Sequence, residues 1–499
     1  MEYEISTNEE YLLKDIQIVI DKYKNDDTMN QKIKSLLKNI PKMVEQMKIK
    51  DEKRKHYIEE MNNEQENFIN NFLATYHYFY IPNEERFFYY NNKHYIVENE
   101  DDISHKILTS INGQLINWKF KTSVSILRKI KEKHIFKSIP DSYTIQYVLN
   151  KLYPVIFKTK EETKYFLTVI GDNILKKNKD LHYFVNTHMK EFINEINKYA
   201  CHYFGNIDCL GTIKTKYYEH ELNNCRIINT QKSIQNKENW ISFLKNNIID
   251  LIVVSCHYSG RYLSADLYLD TIQQSTILER IIYLKNYNHD SIVNNFTKEY
   301  IEQYSNSNTS INYSISWKNM QFLWKRFLNK YQLPNIVYIQ QLKVHLCNQY
   351  IYDESKDEFT NVISKYLPKI SNFLDFFNAN FFEGNEMFEI NEIIMMYNDY
   401  IKDGKLSKDL GKIEEDEIYE VLSYFSSNYE IENEKQVFGL HCLKWNKKND
   451  IDNAVRDYMM ENFITNEENI IPYDCYEHYI STTQNQYKIN KEYFINNIN

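Results

Sequence analysis

Nine glycines and seven prolines in 499 residues limit what this chain can fold into more than any motif it carries. Tight turns and hairpins draw on glycine for positive φ and on proline for a preset φ, whereas long helices need neither. An α-rich fold is therefore expected. Hydrophobic residues at 42% and charged residues at 26% are globular rather than disordered proportions. At about 150 residues per domain the length implies about three domains. The 43 Tyr and 27 Phe accompany recurrent Asn, Lys and Ile. These residues have AT-rich codons, so part of the bias records a genome rather than a fold.

The net charge is −9. A protein whose whole surface wraps nucleic acid is normally basic, so any such binding here must be local. The seven cysteines are odd in number and form no CxxC, which reads as reduced thiols in a cytosol-like compartment. The start, MEYEISTNEEYLLKDIQ, is acidic without an apolar core, and the longest apolar run, Ile248 to Val254, is broken by Asp250. Neither secretion nor membrane insertion is expected.

Residues 9–75 read as helices with a restart at Pro41, and Leu12, Ile16, Val19, Ile20 and Tyr23 form one stripe at helical spacing. The later KMVEQMKIKDEKRKHYIEEM reads as a solvated face. FFYYNNKHYIV (87–97) is a hairpin around Asn91-Asn92. Helical patterning resumes from Asp101 to about Tyr203, with a break at Ser138–Ser142, and again from Leu244 to Lys285. Residues 205–235 lack periodicity, and SNSNTSINYS (305–314) reads as a linker and domain boundary.

Beyond the linker one plan occurs twice. Residues 315–368 run helix, turn at Leu333-Pro334, helix, then two strand-like runs; residues 386–446 repeat that order. A single offset lays Ile339 on Ile418, Leu342 on Val421, Leu346 on Phe425 and Phe359 on Phe438. Helix, turn, helix and β-hairpin is the order of the second half of a winged helix. The expected organisation is a helical arm with a short hairpin (1–100), a central helical domain (101–304), a basic winged-helix-like module (315–368), an acidic one (369–446) and a helical tail (447–499).

Catalytic signatures are missing from the sequence. Gly404-Lys405 and Gly411-Lys412 lack the first glycine and the hydroxyl of a phosphate-cradling loop. In Ser255-Cys256-His257 the adjacent Cys and His side chains point apart, so a buried Cys near a helix start is preferred over a nucleophile. Cys201, His202, Cys209, His220 and Cys225 have spacings that match no common zinc knuckle. No metal, cofactor or catalytic residue is assigned.

Charge is the better guide. Between Ile315 and Gln349 the bases Lys318, Lys325, Arg326, Lys330 and Lys343 meet no acid, giving +5. Across Met387 to Ser427 ten acids face four lysines, giving −6. Phosphate can meet the first stretch and is repelled by the second. In a winged helix the second helix of the helix-turn-helix enters the groove. This makes Gln340, Gln341, Lys343 and His345 candidates to face DNA or RNA, with Lys318, Lys325, Arg326 and Lys330 on phosphates. Glu414, Glu415, Asp416 and Glu417 are candidates for docking a protein. A second basic stretch, with Lys129 and Lys133, either lines a groove beside Trp118 or is a lysine-rich surface.

Two segments resemble a known family. IPDSYTIQYVLNKLYPVIFKTKEETKYFLTVIGDNIL (139–175) is similar to the helical region before the helicase in poxvirus-type primase-helicases of nucleocytoplasmic large DNA viruses. Residues 316–383, from SWKNMQFLWKRFL to SNFLDFF, resemble segments of related giant-virus proteins, as more weakly does 473–494. The Walker motifs and primase domain of active members have no counterpart here, so no catalytic residue carries over. The resemblance implies a viral replication or gene-expression setting in the host cytoplasm or viral factory, with a viral replication or expression protein as partner. The expected function is a non-enzymatic accessory factor binding nucleic acid and protein. The alternatives are a protein-only scaffold or assembly factor, or a translation or transcription cofactor.

Overall fold

The computed structural model describes residues 2–498 except 112, 178–179, 232–236, 305–312, 403–412, 433–434, 466–469 and 485, with side chains from Glu10 onward. The chain is mainly α-helical, with small sheets of short strands. Among the described residues no helix is long and apolar enough to cross a membrane. Two compact units divide the chain, the first comprising 1–179, 188–211 and 231–273 and the second 180–187, 212–230 and 274–499.

The first unit opens with α1 (Glu2–Lys22) and α2 (Asp27–Thr75). The Asp26 carboxylate caps α2 by accepting the Thr28 and Met29 N–H groups. Pro41 lies inside α2 and does not restart it. A proline removes one backbone bond, and the Lys, Leu, Met, Glu and Gln around it still favour helix. Next come β1 (His77–Ile81), β2 (Arg86–Tyr90) and β3 (Tyr95–Glu98), an antiparallel sheet in that order. The β2–β3 hairpin falls where the sequence placed it. Asn92 takes φ +67°, and the Asn91 side chain accepts the Lys93 and His94 N–H groups. The helices α3 (Glu100–Ser110), α4 (Lys119–Lys131), α5 (Ser142–Leu152), α6 (Lys160–Ile174), α7 (Met189–Phe204), α8 (Lys237–Tyr262) and α9 (Ala265–Leu269) complete the unit. Helix α6 is buried almost throughout and lies close against α8, where the absent side chain of Gly171 makes room for the Ser255 carbonyl.

In the second unit β4 (His182–Phe184) pairs in parallel with β5 (Ile213–Lys214) and β6 (Cys225–Ile227); β4 interrupts the stretch read as helical, and β5 and β6 lie in the aperiodic one. Helices α10 (Ser275–Ile281), α11 (Tyr283–Asn286) and α12 (His289–Tyr300) follow, then β7 (Glu302–Gln303) and β8 (Ser314–Ser316). Helices α13 (Trp317–Tyr331) and α14 (Ile339–Gln349) lead to β9 (Tyr352–Asp353), β10 (Glu358–Thr360) and β11 (Val362–Ile363). The sheet order is β8-β10-β9. The plan then recurs as α15 (Leu367–Asn380), β12 (Phe381–Glu389), α16 (Ile390–Tyr400), α17 (Glu415–Phe425), β13 (Glu430–Glu432) and β14 (Gln436–Cys442), with sheet order β12-β14-β13. Both repeats read helix, strand, helix, helix, hairpin, with the first strand on the hairpin's second. Helices α18 (Lys447–Glu461), α19 (Pro472–Thr482) and α20 (Lys491–Asn497) share the second repeat's core through Ile451, Tyr479 and Phe494.

The repeated order takes in one more helix each time: α12 precedes the stretch expected from 315, and α15 opens the module expected over 369–446. Residues 305–312 of the expected linker lie outside the described residues. Its two flanks belong to one unit, since β7 before it pairs with β11 beyond the first hairpin. The single offset between repeats also fails. Strand pairing sets Ile315 against Phe359 and Phe388 against Val437, so Phe359 corresponds to Val437 and not to Phe438. The second hairpin turn is one residue shorter, and one residue moves a side chain to the other face. The ends of α14 and α17 align Leu342 with Ile418 and Leu346 with Leu422, all buried. The expected helix alignment was displaced by three residues, nearly one turn. Such a slip still lays apolar residues on apolar ones.

Candidate functional site

In the first repeat α14 is the helix that precedes the hairpin, the one expected from the sequence to face a groove. Leu342 and Leu346 anchor it, one turn apart, and leave Gln340, Gln341, Val344, Cys347 and Asn348 exposed. The helix contains no acid. Its two titratable candidates are tied back. The Lys343 ammonium donates to Tyr352 Oη at 2.6 Å and to Asp357 Oδ1 at 3.1 Å, bonds that hold its pKa above the usual lysine value. His345 Nδ1 lies 3.4 Å from Asp290 Oδ1.

The α13 bases divide in two. Lys318 and Lys325 are exposed, their ammonium groups 5.2 Å from the Phe425 ring and 5.5 Å from the Tyr424 ring. Arg326 forms an ion pair with Glu417, whose other oxygen accepts from Lys369. Lys330 pairs with Glu299. A residue expected to hold phosphate and one expected to dock protein therefore neutralise each other across the two repeats. Burial pushes the Glu417 carboxyl up, but the Lys369 and Arg326 hydrogen bonds outweigh it and hold the group below its usual range. Glu414 N-caps α17 in a capping box with Glu417, and Glu414, Glu415 and Asp416 are exposed. Lys129, half-buried in α4, and Lys133, exposed just after it, belong to the first unit.

A cleft of about 1150 Å³ runs beside α14. One wall is Gln340, Gln341, Val344 and His345; the others are the α11–α12 junction, with Tyr287 and His289, and residues 217–223. Its charged lining is Glu219 and Glu221 against Lys285. Tyr217 Oη donates to the His220 carbonyl at 2.6 Å, and the His220 ring stacks on His182 at 3.9 Å. Burial, then the neighbouring His220, push His182 below its ordinary value. Within 217–223 the sequence drew attention only to His220, and then as a zinc ligand; the parallel strands β5 and β6 bring the segment here.

The remaining candidates fall to structural roles. Cys256 is buried inside α8, and burial pushes its thiol well up, away from the nucleophilic thiolate. Ser259 donates to the buried Asp172, which also accepts the Ala265 N–H. Cys201, His202 and Cys209 lie in the first unit and His220 and Cys225 in the second. Among the described residues no group of three or more His, Cys, Asp or Glu is placed to hold a metal. Both Gly-Lys pairs, 404–405 and 411–412, lie outside the described residues. No family model matches this chain, and no curated protein or solved structure does either.

Proposed function

We propose that the chain is a non-enzymatic binding protein with two winged-helix-like units, and that α14 with its adjoining cleft receives a protein segment. The observation that carries this reading is the charge around α14. Lys343, Arg326 and Lys330 each sit in an ion pair, and the acids Asp353, Glu354 and Asp357 on the hairpin and Glu219 and Glu221 in the cleft flank the helix. Phosphates approaching from those sides meet repulsion. Exposed Val344 and Tyr338 beside uncharged glutamines instead suit a protein contact. The replication or gene-expression setting, and a viral partner within it, rest on the family resemblance alone.

A nucleic-acid contact is the second reading, favoured by the exposed Lys318 and Lys325 together with an acid-free α14. Titration of fluorescent duplex DNA, single-stranded DNA and RNA across a salt series separates the two. Protein docking expects no steeply salt-dependent binding, and a photo-crosslinker at Val344 that captures a protein which one at Lys298 does not. Binding that weakens steeply with salt and disappears in Lys318→Glu/Lys325→Glu would replace the first reading with the second.

A further inference from the structure

Among the described residues of the first unit, a run of uncovered apolar side chains lies on the N-terminal helices. Ile33 is buried close to the α1–α2 turn, yet on α2 Leu36 is 60%, Val44 58% and Met47 59% exposed, with Ile40 and Met43 alongside. Leu36, Ile40, Met43 and Met47 follow spacings of four, three and four. Leu12, Ile16 and Val19 on α1 repeat the first two of those spacings, and Tyr23 follows four residues on, in the turn after the helix. Those intervals draw one seam down a helix, the pattern by which helices interlock side by side. The α2 seam spans twelve residues, about 18 Å at 1.5 Å per residue, and the α1 seam eight, about 12 Å.

Within one chain α1 cannot cover the α2 seam beyond Leu36. About the Tyr23–Asp26 turn an antiparallel α1 brings roughly residues 2–9 beside residues 40–47, and that segment, EYEISTNE, is mostly polar and acidic. Charge indicates what can cover it. Residues 2–22 hold six acids against two lysines, net −4, whereas residues 32–55 hold nine bases against three acids, net +6. Two α2 helices side by side repel, and α1 of one chain on α2 of another attracts. We infer that the chain self-associates through this hairpin, α1 of one copy lying along α2 of a second copy in a twofold four-helix arrangement. A twofold contact uses both seams twice and leaves none uncovered.

The test is sedimentation velocity of the full chain over a concentration series. A species of about twice the chain mass is expected, reduced to the single chain by Leu36→Glu/Met43→Glu, whose positions are already in solvent and so do not disturb the folded units. At 100° per residue Lys32 and Lys50 flank the α2 seam and Asp15 flanks that of α1. Lys32→Glu/Lys50→Glu should raise the dimer dissociation constant about tenfold, and adding Asp15→Lys should recover part of that loss. A single-chain mass at every concentration overturns the inference. So does a dimer that survives Leu36→Glu/Met43→Glu, or one indifferent to both charge changes.

Discussion

Lys447 is the first residue of α18 and has no solvent-exposed surface. Its ammonium donates to Glu392 Oε2 at 2.6 Å and to the Met387 carbonyl at 2.8 Å, with the Phe388, Tyr493 and Trp445 ring centres at 4.4, 4.6 and 5.0 Å. Burial pushes Glu392 up and Lys447 down, each opposed by the charge of the other. Lys447→Met keeps the volume but strands the Glu392 carboxylate. Its remaining donor is the Glu389 N–H at 2.8 Å. Breaking a buried pair from one side costs about 3–5 kcal/mol. In a unit of this size that corresponds to a fall of about 6–20 °C in its melting temperature. Lys447→Met/Glu392→Met removes both charges, and exchanging a buried pair for apolar groups is neutral or favourable by about 1–4 kcal/mol. The double variant should therefore melt near or above wild type. Two units preclude a single unfolding free energy, so the assay pairs calorimetry with hydrogen exchange in β12 and α18. A single variant as stable as wild type, or a double variant no better than the single, would refute the reasoning.

Glu417 should make the second unit acid-sensitive. A carboxyl whose folded pKa is depressed contributes stability that is complete above its unfolded pKa, about 4.3, and is lost as pH falls through the folded value. Glu417→Gln should thus cost about 1–3 kcal/mol near pH 7, the worth of its hydrogen bonds to charged donors, and progressively less below pH of about 4, read as melting temperature against pH; a gap independent of pH rules out the bridge as its source. At Gly171 helix propensity and packing disagree. Alanine gains about 1 kcal/mol of propensity, but its Cβ would meet the Ser255 carbonyl and lie 2.7 Å from Ser259 Cβ. Overpacking of about 1–3 kcal/mol or more should win, so Gly171→Ala lowers the first unit's melting temperature, and a rise would contradict the close α6–α8 contact.

What the sequence made legible follows from how far each signal acts. Helices and turns announce themselves locally: the end of helix at residue 75 and the Asn91-Asn92 turn stand where the residues placed them, and helix, helix and hairpin recur in the expected order with shifted bounds. The strands β4, β5 and β6 are two or three residues long and pair across gaps of tens of residues, so no window of sequence contains their partners. The same limit governs the site. Summed along the chain, Arg326 belongs to a +5 stretch and Glu417 to a −6 stretch, as if each repeat advertised a different ligand. In space the two side chains meet, joined by Lys369, and α17 is fixed to α13 by the charges that seemed to face outward. Linear charge counts measure what a segment carries; only pairing decides what remains for a partner. By that standard the open chemistry beside α14 is Gln340, Gln341, Val344 and the acidic cleft wall, a surface the charge count passed over because so little of it is charged.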